Sequence, residues 1–104
     1  MTYSDKVKAS NIIINAINGL TDGQYIIVTY GTNYNDEPQR FKISCNIFRD
    51  GKPSYSIYKD EVFGLSGMNI DSISKTTAKA YTYDMMNQRT TYTFPLYEMV
   101  LVQD

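Results

Sequence analysis

The chain has 104 residues, 42% of them hydrophobic and 20% charged, a composition that suits one folded domain and excludes both the disordered class and a chain built of membrane-spanning helices. Ten Lys and Arg against eleven Asp and Glu leave a net charge of -1. That balance excludes a global attraction for nucleic acid or anionic lipid, so any electrostatic recognition must come from an uneven distribution of charge.

From Ser4 to Asn18 the apolar residues recur with a helical period. Ala9, Ile12, Ile13, Ala16 and Ile17 fall on one side, Asn11, Asn15 and Asn18 fall opposite, and Ile14 lies off the stripe. This predicts an amphipathic helix over about residues 4–18, capped by Ser4, favoured by Asp5 at its positive end and closed by a left-handed Gly19. After Thr21-Asp22-Gly23 the period becomes extended. Gln24 to Tyr30 is dense in β-branched and aromatic residues with apolar groups on both faces, as in a central strand. Gly31 to Gln39 has the composition of a loop.

Arg40 to Phe48 alternates cleanly, Phe41, Ile43, Cys45 and Ile47 against Arg40, Lys42, Asn46 and Phe48. Asp50-Gly51 predicts a hairpin turn, with Ser54 to Tyr58 returning. Lys59 to Asn69 reads as a less regular excursion. A last pair of strands is predicted from about Ser74 to Asp84 and from Arg89 to Val102, with Asn87 supplying a left-handed turn residue. Pro95 should mark a bend, bulge or edge, beyond which Tyr97 to Val102 forms a separate segment. The expected fold class is α+β and β-rich: residues 1–104 as a single domain, with an N-terminal amphipathic helix followed by about five antiparallel strands over about 24–103, in a strongly curled sheet or small barrel.

The chemistry of catalysis is thin. No histidine is present, which removes the most frequent general base and the commonest metal ligand. Cys45 shares the parity of Ile43 and reads as a buried structural thiol. Asp36-Glu37 and Asp60-Glu61 are adjacent pairs whose side chains diverge in extended chain, and Phe63-Gly64-Leu65-Ser66-Gly67 lacks the Lys-Ser/Thr of a phosphate loop. We therefore expect no enzyme, no cofactor and no metal.

The remaining constellation is an outward sheet face bearing Arg40, Lys42, Phe48, Tyr58, Lys79, Tyr81 and Tyr83. Tyr with a few cations is the composition of protein-interface hot spots. The same residues would also suit single-stranded nucleic acid, with bases on rings and phosphates on Lys and Arg. The expectation is a small non-enzymatic binding protein whose partner is a host protein, with single-stranded nucleic acid as the alternative. Homo-oligomer formation through an edge strand near Pro95 is a further expectation.

A lone cysteine, no Asn-x-Ser/Thr site, a start (Met1-Thr2-Tyr3-Ser4-Asp5-Lys6) unlike an export signal and apolar runs of at most four residues predict a soluble cytoplasmic protein without a membrane span. The abundance of Ile, Asn, Tyr and Lys without Trp or His resembles AT-rich coding. Together with the lack of motifs, it suggests a bacteriophage or mobile-element protein, an inhibitor or accessory factor, with anti-defence action such as CRISPR inhibition as one form.

Overall fold

The structure is a computed structural model, and it describes residues 1–59 and 67–102. Helix α1 spans Tyr3–Asn18 and is followed by strands β1 (Tyr25–Thr32), β2 (Pro38–Ile47), β3 (Pro53–Lys59), β4 (Gly67–Ile73), β5 (Thr77–Tyr83), β6 (Arg89–Pro95) and β7 (Val100–Leu101), the last two separated by a turn of 3-10 helix, Leu96–Glu98. All pairings are antiparallel, in the order β6-β5-β4-β3-β2-β1-β7. The protein is thus β-rich α+β, one helix on a strongly curled half-barrel sheet, with seven strands where about five were expected. The additional strands are β4, in a stretch that shows little alternation, and β7, which is two residues long.

Why the sheet curls follows from chain length. Laid flat, seven strands spaced about 4.8 Å apart would hold the outermost two about 29 Å from each other. The step from Pro95 at the end of β6 to Val100 at the start of β7 is five residues, at most about 18 Å even when fully extended. The sheet must therefore bend until its edges approach. Ring contacts bear this out: Phe94 of β6 meets Tyr30 of β1 at 6.0 Å and Phe41 of β2 at 6.0 Å, while Tyr30 and Phe41 are 6.2 Å apart. Ala78 and Ala80 line β5 beside them, and their small side chains leave room for the rings. Ile13 and Ile17 of α1 and Leu96 and Met99 of the closing segment complete this concave core with Val28, Ile43 and Ile57.

Several local expectations are corrected. The N-cap of α1 is Thr2, not Ser4: its hydroxyl accepts from the Asp5 amide at 3.2 Å and the Asp5 carboxylate accepts from the Thr2 amide, a reciprocal capping box. Gly19 ends the helix in right-handed geometry, φ -82°, rather than left-handed. The buried stripe of α1 runs through Ser10, Ile13 and Ile17, so Ile14 packs against the core while Ile12 is 62% exposed. A polar residue, Ser10, sits at the centre of the stripe, which is why an apolar pattern alone misplaced it. Ile47, expected inward, is exposed at the end of β2. The loop between β1 and β2 is shorter than read, because Asn33 Oδ1 accepts from the Asn35 and Glu37 amides and closes a tight turn between Thr32 and Pro38.

Other expectations agree. Cys45 is buried on the concave side, and Asn87 is left-handed at φ 62° in the turn between β5 and β6. The Pro95 break is also present, and the chain beyond it crosses to the far edge of the sheet as β7. No described helix is long and apolar enough to cross a membrane.

Candidate partner-binding face

The convex face is built by cross-strand register. Tyr25 of β1 stands opposite Ser44 of β2, which faces Ser56 of β3, then Asn69 of β4, Tyr81 of β5 and Thr91 of β6. A second row runs through Ile27, Lys42, Tyr58 and Gly67. Six of the seven residues singled out from sequence, Arg40, Lys42, Tyr58, Lys79, Tyr81 and Tyr83, lie on this one face. Phe48 lies one residue beyond β2 at the hairpin end: it is exposed, and its amide donates to the Lys52 carbonyl, which carries on the β2–β3 register.

Keeping this face in phase requires an irregularity in β4. Ile70 pairs with Ala80 and Ser72 with Lys79, so Asp71 is an inserted residue, a β-bulge. The bulge puts Asp71 and Ser72 together on the convex side opposite Lys79. It also returns Ile73 to the concave side opposite Ala78, where both it and Ile70 pack against the core. Uninterrupted alternation would have turned Ser72 inward.

Two clusters occupy the face. In one, the Lys42 ammonium sits 4.2 Å from the centre of the Tyr25 ring, beside a shallow groove of about 240 Å³ walled by Tyr25 and Tyr58 and floored by Ser44 and Asn46. The turn Thr21–Gln24 closes the end of this groove. It is pinned there by Gly23 and Gln24 backbone bonds to Cys45 and by Asp22 Oδ1, which accepts from the Ile47 amide at 2.8 Å. The Tyr58 ring lies over Gly67: a Cβ at Gly67 would fall 2.4 Å from Tyr58 Cε1, so the close approach requires glycine. In the other cluster, the Arg89 guanidinium stacks 4.0 Å from the Tyr81 ring centre and pairs with Asp71 at 3.4 Å, and Tyr83 meets Tyr81 edge to face at 5.9 Å.

Tyr25 and Arg89 were not found from sequence. Tyr25 heads a strand that is apolar on both faces, where parity carries no signal. Arg89 follows the turn after Tyr83, and its pairing with that residue was readable from the hairpin.

No three carboxylate or thiol groups converge among the described residues. Asp36 and Glu37 are exposed in the turn between β1 and β2, whereas Asp60, Glu61 and Gly64 lie outside the described residues. Compared with protein-family models, curated proteins and solved structures, the chain matches none.

Proposed function

We propose that the protein is a non-enzymatic binding module that engages an acidic surface of another protein through the convex face of its sheet. The observation that carries this reading is the state of the tyrosine rings. Base stacking needs an open ring face; Arg89 covers one face of Tyr81, Lys42 covers one face of Tyr25 and Tyr58 rests on Gly67, while Tyr25 and Tyr83 stay about half exposed. Rings held in this way suit protein recognition, where Tyr supplies rigid contact area at low entropic cost and Ser and Asn supply adaptable hydrogen bonds. The face has that composition: Tyr25, Tyr58, Tyr81 and Tyr83 among Ser44, Ser54, Ser56, Asn46 and Asn69. Lys42 and Lys79 bring positive charge to the face, whereas Arg89 is paired with the Asp71 carboxylate. This local excess of positive charge in a chain of net charge -1 favours an acidic partner.

In the bacteriophage or mobile-element setting suggested by residue usage, the partner is a cytoplasmic host protein and binding obstructs its working surface, anti-defence action being one form. The test is retention from host lysate. Immobilised protein should hold one acidic host protein at near-stoichiometric yield, and the double variant Lys42→Glu/Lys79→Glu should lose it while keeping its fold. Fluorescent single-stranded DNA and RNA should show no anisotropy change with micromolar protein at about 50 mM salt. Nucleic-acid binding under those conditions, or retention indifferent to the charge reversals, would overturn the proposal.

A further inference from the structure

The two edges of the sheet are unequal. β7 is two residues long, whereas β6 runs for seven residues in unbroken register with β5, from Tyr83 opposite Arg89 to Thr77 opposite Pro95, and no described strand pairs with its outer side. Arg89 to Thr93 are all exposed, those facing the concave side included, so neither α1 nor the closing segment covers this edge.

Which backbone groups are free follows from the ladder. The Asp84 amide donates to the Gln88 carbonyl at one end, and the Leu96 amide donates to the Thr76 carbonyl at the other. Hydrogen-bonded pairs alternate along an antiparallel ladder, so both ends assign Thr90, Tyr92 and Phe94 to bonding with β5. Arg89, Thr91 and Thr93 then direct N–H and C=O outward, as does Pro95 with its carbonyl alone. Proline is tolerated here because the donor it lacks would have pointed away from the sheet.

Proteins usually blunt a long edge with bulges, short length or charge. β6 has no bulge, and its single charge, Arg89, is held by Asp71 and Tyr81 on the convex face. Its sequence, Arg-Thr-Thr-Tyr-Thr-Phe-Pro, is rich in strand-forming residues.

We infer that β6 pairs antiparallel with β6 of a second copy of this chain, with Thr91 opposite Thr91 on the two-fold axis. In that register Arg89 faces Thr93 of the second copy and no like charges oppose. Every outward amide of Arg89, Thr91 and Thr93 meets an outward carbonyl, giving about six backbone bonds. The neighbouring register centred on Tyr92 would set Arg89 against Pro95 with as many backbone bonds, and the cross-linking below separates the two. On the concave side, Tyr92 gains Thr90 of the second copy as a neighbour, an aromatic and β-branched pair. A foreign strand would not carry this self-complementarity. The dimer joins two convex faces into one sheet and brings the two Tyr81-Arg89 clusters near the axis, whatever that face binds.

The full chain should sediment at about twice its 11.9 kDa mass at concentrations on the order of 100 µM. Thr91→Lys, which puts two ammonium groups on the axis at an exposed position, should halve that mass while leaving the circular dichroism spectrum unchanged. Thr91→Cys should cross-link to itself on mild oxidation, because the paired Cα atoms would lie about 5.5 Å apart, within disulfide range. Tyr92→Cys should cross-link at least several-fold more slowly, and buried Cys45 does not interfere. A chain that stays monomeric at this concentration, a Thr91→Lys variant that remains dimeric, or faster cross-linking through Tyr92 would overturn the inference. So would a monomer whose binding of a foreign partner is abolished by Thr91→Lys, since the edge would then belong to that partner.

Discussion

Replacing Gly67 by Ala tests the packing of the convex face at a single atom. The added Cβ would lie 2.4, 2.8 and 3.3 Å from three atoms of the Tyr58 ring, too close to tolerate, so the ring must swing away. If that exposes on the order of 80 Å² of ring surface, the loss at about 25 cal/mol per Å² is about 2 kcal/mol. Against it stands the relief of glycine's conformational freedom in the unfolded chain, about 0.4–1 kcal/mol, because Gly67 does not have the positive φ that would strain alanine. The net expectation is a destabilisation of about 1 kcal/mol, or about 4–8 °C in melting temperature for a chain of this size.

The decisive comparison is the same substitution in a Tyr58→Ala background. With no ring to displace, only the entropic gain remains, and Gly67→Ala should stabilise by up to about 1 kcal/mol. A double-mutant cycle by urea unfolding reads the coupling directly. Equal effects of Gly67→Ala in both backgrounds would refute the glycine-ring contact and the groove wall built on it.

Other substitutions probe other parts of the fold. Ser10 is completely buried, and its hydroxyl has no hydrogen-bond partner among the described residues, so Ser10→Ala should stabilise the protein by about 1 kcal/mol. A loss of stability in thermal unfolding would show that the hydroxyl is satisfied. Ile12→Lys should change stability by less than about 0.5 kcal/mol, whereas Ile14→Lys, which forces a charge against the core, should cost more than about 2 kcal/mol. The reverse order would restore the helix facing expected from periodicity. Phe94→Ala removes the ring that bridges β6 to β1 and β2 and should cost about 3–5 kcal/mol. A cost below about 1 kcal/mol by chemical denaturation would argue against the closure of the curled sheet.

How much was legible in the sequence depended on whether a signal was local. The clean alternation from Arg40 to Phe41, Lys42 and Ile43 and the turn residues Gly51 and Asn87 act within a few residues of themselves, and they assigned strands and hairpins and placed six of the seven residues singled out from sequence on one face. Parity counting failed where the chain slips by one residue: the bulge at Asp71 is a compromise between ladder hydrogen bonds and the burial of both Ile70 and Ile73, visible only once β5 lies alongside.

By itself, then, the sequence determined the fold class, since period, composition and turn preference are properties of short segments, and it shows a chain of 104 residues without histidine. The tertiary structure alone decided that the sheet has seven strands, that Ser10 and Ile14 rather than Ile12 face the core, and that Tyr25, Tyr58, Tyr81 and Arg89 form packed clusters. An edge strand beside Pro95 was expected from sequence, and the structure added that β6 runs seven residues in unbroken register while β7 has two. These depend on contacts between residues far apart in the chain, such as Phe94 with Tyr30 and Arg89 with Asp71, and such contacts exist only after the sheet has curled.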